Sequence, residues 1–228
     1  MKKLENFKLI HYRVEDKYAL SKIEFERLRS KFLSVLPVDM NQTYCISSLY
    51  FDDYKDTCLV DTINGQPMRE KFRIRIYNNS LNTIKLEHKI KVYSRIHKDS
   101  LLLNEQELRR LMQGQTIDSN EPVANVFNCA VSTRYLRPKV IVSYDRTAFI
   151  YKQGNVRITF DENLRASKDL ACFGSQDVLY DYPRTSFRVL EVKYDGFLPD
   201  FIADLLEHGN MWQSANSKYR CCREIYQK

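Results

Sequence analysis

Residues 68–93 read MREKFRIRIYNNSLNTIKLEHKIKVY, and the alternation inside this stretch decides the fold. With a period of two, Phe72, Ile74 and Ile76 share one face while Lys71, Arg73, Arg75 and Tyr77 share the other. After the turn-rich Asn78-Asn79-Ser80-Leu81-Asn82 the pattern resumes, with Ile84, Leu86 and Ile90 opposite Lys85, Glu87, Lys89 and Lys91. Two alternating runs around a turn predict a hairpin, with strands over 69–77 and 84–93. Its apolar face must be buried, so the other face gathers cations that repel one another across the strand pair. A solvated outer face would explain one such strand. Repetition of the pattern along the chain predicts instead a cationic face turned inward, toward a polyanion such as a chain of phosphates.

The rest of the composition agrees with a folded, β-rich protein. Among 228 residues there are fifteen Tyr and twelve Phe but only six Gly and six Pro, which fits one domain over 1–228 with a sizeable core. The net charge of +7 is moderate, so its placement matters more than its size. The six cysteines, at 45, 58, 129, 172, 221 and 222, show no CxxC pair or metal-finger spacing. The opening MKKLENFKLIHYRVEDKY lacks an apolar core like that of a signal peptide, and no long uncharged apolar run follows. A reducing, cytoplasmic location is expected.

Residues 9–18 predict a first strand with His11, Arg13, Glu15 and Lys17 on one face. Ser21 and Glu24 open a helix over 21–35, and Tyr44–Asp52 gives a second strand, broken by Asp53-Tyr54-Lys55-Asp56. A fifth strand is expected at 94–98, a helix capped by Asn104, and another helix over 121–131, with Arg134, Arg137 and Lys139 forming a basic patch. Lys139–Tyr151 and 156–161 predict a second hairpin about Gln153-Gly154-Asn155, in which Arg157, Thr159 and Asp161 share a face. A polar loop over 162–186, a last strand over 188–194 with Glu191 and Lys193 on one face, and helices over 199–207 and 214–226 complete the chain. The fold class expected is α+β, an antiparallel eight-stranded barrel with charge inside and helices packed on the outside.

RVEDKY in the first strand, SLYFDD in the second, FRIRIY followed by IKLEHK, then SYDRTAF, VRITFD, LEVKY and the late SKY together resemble the polyphosphate polymerase (VTC) domain of the triphosphate tunnel metalloenzyme, or CYTH-like, superfamily. The resemblance runs from about residue 10 to about residue 220. It implies an eight-stranded antiparallel tunnel that binds ATP or another triphosphate and extends polyphosphate with the γ-phosphoryl group. It implies catalytic roles for Arg73, Arg75, Lys89 and Glu191. Substrate-binding roles are implied for Lys17, Lys71, Lys85, Lys91, Arg146, Arg157, Lys193 and Lys218. Mn²⁺ or Mg²⁺ would be carried by Glu191, helped by Glu87 or Glu15, since such ions take oxygen ligands and phosphates. The hydrolase branches begin with ExExK, whereas Arg13 stands here in the first glutamate position and only Glu15 remains, which favours the polymerase branch.

Two other readings stand beside this one, a triphosphatase of the same fold and a non-catalytic module that binds polyphosphate or nucleic acid. Nucleic acid is disfavoured, because Tyr12, Tyr77 and Tyr93 fit strand packing better than exposed stacking. A separate membrane partner is compatible with the resemblance.

Overall fold

The computed structural model describes residues 14–93, 95–207, 211–213 and 217–227, so the expected strand residues 9–13, His11 and Arg13 among them, lie outside the described residues. The organising hairpin is present. β3 (Met68–Tyr77) and β4 (Ser80–Val92) meet at Asn78 and Asn79, both left-handed with φ of 51° and 50°. Asparagine tolerates that conformation, and two such residues in succession make the tightest hairpin turn, whose twist matches the strands. The return strand therefore begins at Ser80, earlier than the expected 84. In the register Arg75 lies opposite Lys85, Arg73 opposite Glu87, Lys71 opposite Lys89 and Arg69 opposite Lys91.

Around this hairpin the remaining strands are β1 (Val14–Ala19), β2 (Val38–Asp52), β5 (Arg95–Leu103), β6 (Arg137–Tyr151), β7 (Val156–Ser167), β8 (Val189–Tyr194) and the two-residue β9 (Trp212–Gln213). They form one antiparallel sheet in the order β5-β4-β3-β2-β6-β7-β8-β1-β9. The sheet is curled: Lys89 Nζ on β4 lies 3.6 Å from Glu15 Oε1 on β1, although the two strands stand near opposite ends of the pairing order. Eight long strands thus make an antiparallel half-barrel whose concave face is bridged by side chains.

Other strands also run further than expected, β2 beginning at Val38 rather than Tyr44. β5 extends to Leu103, and β7 continues through 162–167, a segment whose polar Glu162 and Asn163 had suggested loop. Asn163, at φ 54°, sits where the register of β6 and β7 shifts between Ser143 and Asp145. That bulge takes up the polar pair. Beyond it Leu164 and Ala166 turn inward and are buried.

The helices cover the apolar outside. α1 (Lys22–Val35) is capped by Ser21, whose Oγ accepts the Glu24 N–H at 3.2 Å, and sets Phe25 and Phe32 against Phe149 and Phe160 with centroids 5.3 to 5.9 Å apart. α5 (Asp200–Glu207) joins that cluster through Ile202 and Leu206. α3 (Glu105–Met112) opens on a full capping box between Asn104 and Glu107. α4 (Pro122–Arg134) packs Phe127 edge-on to Phe51 and Phe72 at 5.1 and 5.4 Å. α2 (Thr57–Ile63) follows the expected break after β2.

α6 (Lys218–Glu224), joined by Leu59 of α2, differs from the other helices. Its buried Tyr219 and Cys222 pack among Tyr50, Val140, Val142, Tyr144, Leu164 and Ala166, residues of the concave face, so it closes over part of the interior. The expected basic patch is broken up, with Arg134 2.6 Å from Glu70 and Lys139 3.0 Å from Asp56.

Phe127→Ala should remove about 3–5 kcal/mol of stability, because it empties the contact between α4 and the sheet on the side away from the charges. Urea unfolding measures this, and a loss below about 1 kcal/mol would show that the layer is not anchored there.

Candidate functional site

The alternation of β3 and β4 delivers every second side chain to the concave face, where Arg73 and Arg75 meet Glu87. Arg73 donates from Nε to Glu87 Oε2 at 2.6 Å and from Nη1 to the Tyr50 hydroxyl at 2.8 Å. Arg75 Nη1 lies 3.7 Å from Glu87 Oε1 and its Nη2 donates to the Tyr144 hydroxyl at 3.4 Å. Lys98, from β5, reaches the same carboxylate at 3.1 Å. Burial favours a neutral Glu87, yet Arg73, Arg75 and Lys98 together hold its carboxyl well below the usual range.

β1 and β8 bring a second group together. Their register sets Lys17 opposite Glu191 and Glu15 opposite Lys193. Lys17 pairs with Glu15 and lies 3.3 Å from Glu191, while Lys193 stands 3.1 Å from Glu15 and 3.6 Å from Glu191. Arg146 Nη2 approaches Glu191 Oε2 at 3.7 Å. Burial works to raise Glu191, but Lys193, Lys17 and Arg146 hold it well below the usual carboxylate range. Burial and Glu191 both push Glu15 up, and Lys89, Lys17 and Lys193 more than offset them, so Glu15 is lowered too.

On β7 the fully buried Asp161 is forked by Arg146, with Nε and Nη2 at 2.6 and 2.7 Å, and receives Lys218 of α6 at 2.6 Å. Lys218 and Arg146 also lie over the Tyr144 ring, at 4.6 and 5.3 Å from its centroid. Burial raises that phenol, but Arg146, Arg75 and Lys218 outweigh it and lower its pKa.

Two lysines are poised at neutral pH. Burial pushes Lys89 down to about 7, with repulsion from Lys17 and Lys193 adding to it and Glu15 and Glu191 opposing. Burial pushes Lys71 down to about 8, helped by Arg69, Arg73 and Lys17. Lys71 donates to Ser217 Oγ at 3.0 Å and lies over the Tyr219 ring.

Most sequence-predicted residues therefore meet on the concave face: Arg73, Arg75 and Glu87 in one group, Glu15, Lys17, Lys89, Glu191, Lys193, Arg146 and Lys218 in another. Arg157 stands beside them, donating to the Tyr44 hydroxyl at 3.3 Å. Lys85 lies off the two groups with its ammonium over Tyr77 at 5.8 Å. Lys91 lies beyond Lys89 on β4, opposite Arg69. Of the carboxylates expected to carry a metal, Glu191 and Glu15 adjoin and Glu87 stands with the arginines. Glu87 is engaged by three cations, and among the described residues no three His, Cys, Asp or Glu side chains converge as metal ligands. Lys98 ends the expected strand over 94–98 but is not among the predicted site residues, because nothing local shows that this strand pairs with β4 beside Glu87. Sequence reasoning also missed Tyr50, Tyr144 and Tyr219, whose ring faces carry the cations; the alternation that put Tyr50 in phase with the charged positions was the available signal.

On this face Arg75 Nε, Ser48 Oγ and Thr159 Oγ1 are buried without a hydrogen-bond partner among the described residues. Ser48 sits opposite Arg75 and Thr159 opposite Glu191 in the strand registers. Buried donors left unmatched are costly, and all three would be satisfied by an oxygen-rich anion. A divalent cation fits more narrowly. Glu15 and Glu191, ionised and adjacent, are a two-carboxylate donor set of the kind that suits Mg²⁺ or Mn²⁺ when phosphate oxygens and water fill the other positions.

The profile of the VTC domain family matches residues 12–226. No curated relative matches the sequence. Among solved structures, a proposed adenylate cyclase from Bacillus halodurans is similar at a TM-score of 0.59 and 15% identity, over 91% of this chain and 94% of that one. A proposed adenylyl cyclase from Hippeastrum, described as having a dominant triphosphatase activity, is similar at 0.57 and 15% identity, over 94% and 96%. These likenesses establish a shared fold.

Glu87→Gln should cost about 3–5 kcal/mol at neutral pH by leaving Arg73, Arg75 and Lys98 without their counter-charge. Because the folded pKa is lowered, the contribution of Glu87 is present above its unfolded value of about 4.3 and fades as the pH falls through the folded value. Thermal unfolding of both proteins from pH 7 down to pH 2 should therefore show the gap narrowing in acid. A variant as stable as the wild type at pH 7 would show that Glu87 does not balance the arginines.

Proposed function

The chain belongs to the VTC domain family, and from that membership we propose that it is a polyphosphate polymerase, moving the γ-phosphoryl group of ATP to the end of a polyphosphate chain. The observation that carries this reading is the concave face itself, where among the described residues cations outnumber carboxylates and Arg75 Nε, Ser48 Oγ and Thr159 Oγ1 are buried donors lacking acceptors. A triphosphate supplies acceptors to all of these and charge to the lysines that burial has weakened.

Arg73, Arg75, Arg146 and Lys218 would hold the phosphates and lower their mutual repulsion, each already oriented by Glu87, Asp161 or a tyrosine. Transfer then needs alignment rather than a protein nucleophile. A terminal oxygen of the polyphosphate forms the new P–O bond as the bond to the β-phosphate oxygen breaks, and ADP leaves with the electron pair. Lys17, Lys89 and Lys193 surround the corner where charge would build up, and preorganised cations there stabilise the transition state. Glu15 and Glu191 would hold Mn²⁺ or Mg²⁺, which when bound supplies positive charge to the phosphoryl oxygens. Among the described residues no helix is long and apolar enough to cross a membrane.

A triphosphatase is the second reading, favoured by the fold shared with the Hippeastrum protein and by the paired acids Glu15 and Glu191. Incubation of the protein with ATP and Mn²⁺ separates the two: ADP with a ladder of polyphosphate on a gel supports the polymerase, whereas free phosphate without a ladder supports hydrolysis. Neither product would leave only binding. Glu191→Gln should retain triphosphate binding by calorimetry and lose metal-dependent turnover by a factor of about 100 or more, the scale expected when one stabilising charge is deleted. Unchanged turnover would remove Glu191 from the site.

A further inference from the structure

Asp52 is not part of the cationic lining, yet it is among the most heavily hydrogen-bonded carboxylates of the interior. It is 1% exposed. Its Oδ1 accepts the N–H groups of Asp53 and Cys58, each at 2.9 Å, and its Oδ2 accepts the Leu59 N–H at 3.1 Å and the Tyr219 hydroxyl at 2.6 Å. One carboxylate therefore ties the start of α2 to the first turn of α6.

What Tyr219 touches makes this bond consequential. Its ring stacks on Tyr50 with centroids 5.0 Å apart, and the Tyr50 hydroxyl is the acceptor for Arg73. The same ring lies under Lys71, 5.5 Å from the ammonium, and the preceding Ser217 accepts the Lys71 hydrogen bond. No carboxylate is paired with Lys71 among the described residues. It is faced by Cys58 from α2, Lys17 from β1, Lys89 from β4, Arg69 and Arg73 along β3, and Tyr219 from α6. Its direction thus depends on a ring face and a hydroxyl, both carried by α6.

We infer that Asp52 is a positioning residue for the phosphate site, acting through Tyr219 to keep Lys71 and Arg73 directed into the concave face. The inference rests on the phosphate-binding reading above for its purpose, though not for its geometry. Burial raises the Tyr219 phenol far above its ordinary value, with the Asp52 charge adding to it, so Tyr219 remains the donor. The link is specific because only the hydroxyl bonds to Asp52, while the ring serves Lys71 and Tyr50.

Tyr219→Phe separates the two roles, since it keeps the ring and removes the bonds to Asp52 and Arg223. Tyr180→Phe is the control: its hydroxyl accepts from Ser143 at 2.9 Å and lies away from the lysines. In the full chain with labelled lysines, the Lys71 signal is assigned by its loss in Lys71→Gln and titrated by NMR. Calorimetry with inorganic tripolyphosphate runs alongside. Tyr219→Phe should move the Lys71 midpoint up toward the ordinary lysine value of about 10.4, as the amine escapes to water, and weaken tripolyphosphate by about tenfold. Asp52→Asn should act in the same direction. Tyr180→Phe should lower the melting temperature without either effect. A Lys71 midpoint in Tyr219→Phe equal to that of the wild type, or shifted as much in Tyr180→Phe, would overturn the inference. A wild-type protein that fails to bind tripolyphosphate would instead defeat the functional reading, while the titration still decides the role of Asp52.

Discussion

The structure depends on an imbalance of buried charge. Glu15, Glu87, Asp161 and Glu191 are nearly or fully buried, and each is held by two or more lysines or arginines. Removing ions from water costs several kcal/mol apiece unless geometry and additional hydrogen bonds compensate. Here the carboxylates compensate only some of the cations. Among the described residues Arg73 and Arg146 have well-formed partners, whereas Lys71 has none of opposite charge and Lys89 has one at 3.6 Å. Such a face is stable enough to fold because the outer side of the same strands is densely packed with Phe, Leu and Ile. On the proposed function, a polyanion would complete it electrostatically.

Tyrosines provide the other part of the compensation. Tyr50, Tyr144 and Tyr219 offer ring faces to Arg73, Arg146, Lys218 and Lys71 at 4.6 to 5.7 Å, and desolvated cation–π contacts are worth about 2 kcal/mol. A ring attracts a cation without neutralising it. The charge stays available to an anion in a way that a second carboxylate would forbid.

The legibility of this arrangement in the sequence follows from the period of two. In β3 and β4 each residue's face is fixed by parity, so the inward set Lys71, Arg73, Arg75, Lys85, Glu87 and Lys89 could be read directly, as could Arg157 and Asp161 in β7. Two kinds of information were hidden. Strand ends were misplaced where the local residues are polar, as at Glu162-Asn163, because a bulge keeps such residues in the sheet without alternation. Partners across the curl were also hidden, since nothing in IKLEHK shows that Lys89 reaches Glu15 on β1. Shear between β1 and β4 determines that, and shear is a property of the whole sheet. The position of α6 on the concave face was equally out of reach, because a helix with Tyr219 and Cys222 on one side reads the same whichever face it covers.

The separation of Glu87 from the Glu15–Glu191 pair bears on how binding and chemistry divide. Cations spread along β3 and β4 attract every phosphate of a chain in much the same way, and interactions equal in the ground and transition states tighten binding without speeding the reaction. Selective stabilisation requires asymmetry. The corner formed by β1, β8 and Arg146 is where closely spaced acids and bases alternate, with Glu15, Lys17, Glu191 and Lys193 all within 3.6 Å of a partner. There a phosphoryl group would meet fixed charges of both signs, and a shift of charge during transfer would be felt differently on its two sides. On the proposed function, the β3–β4 ladder would hold the chain, and the β1–β8 corner would be where its bonds change.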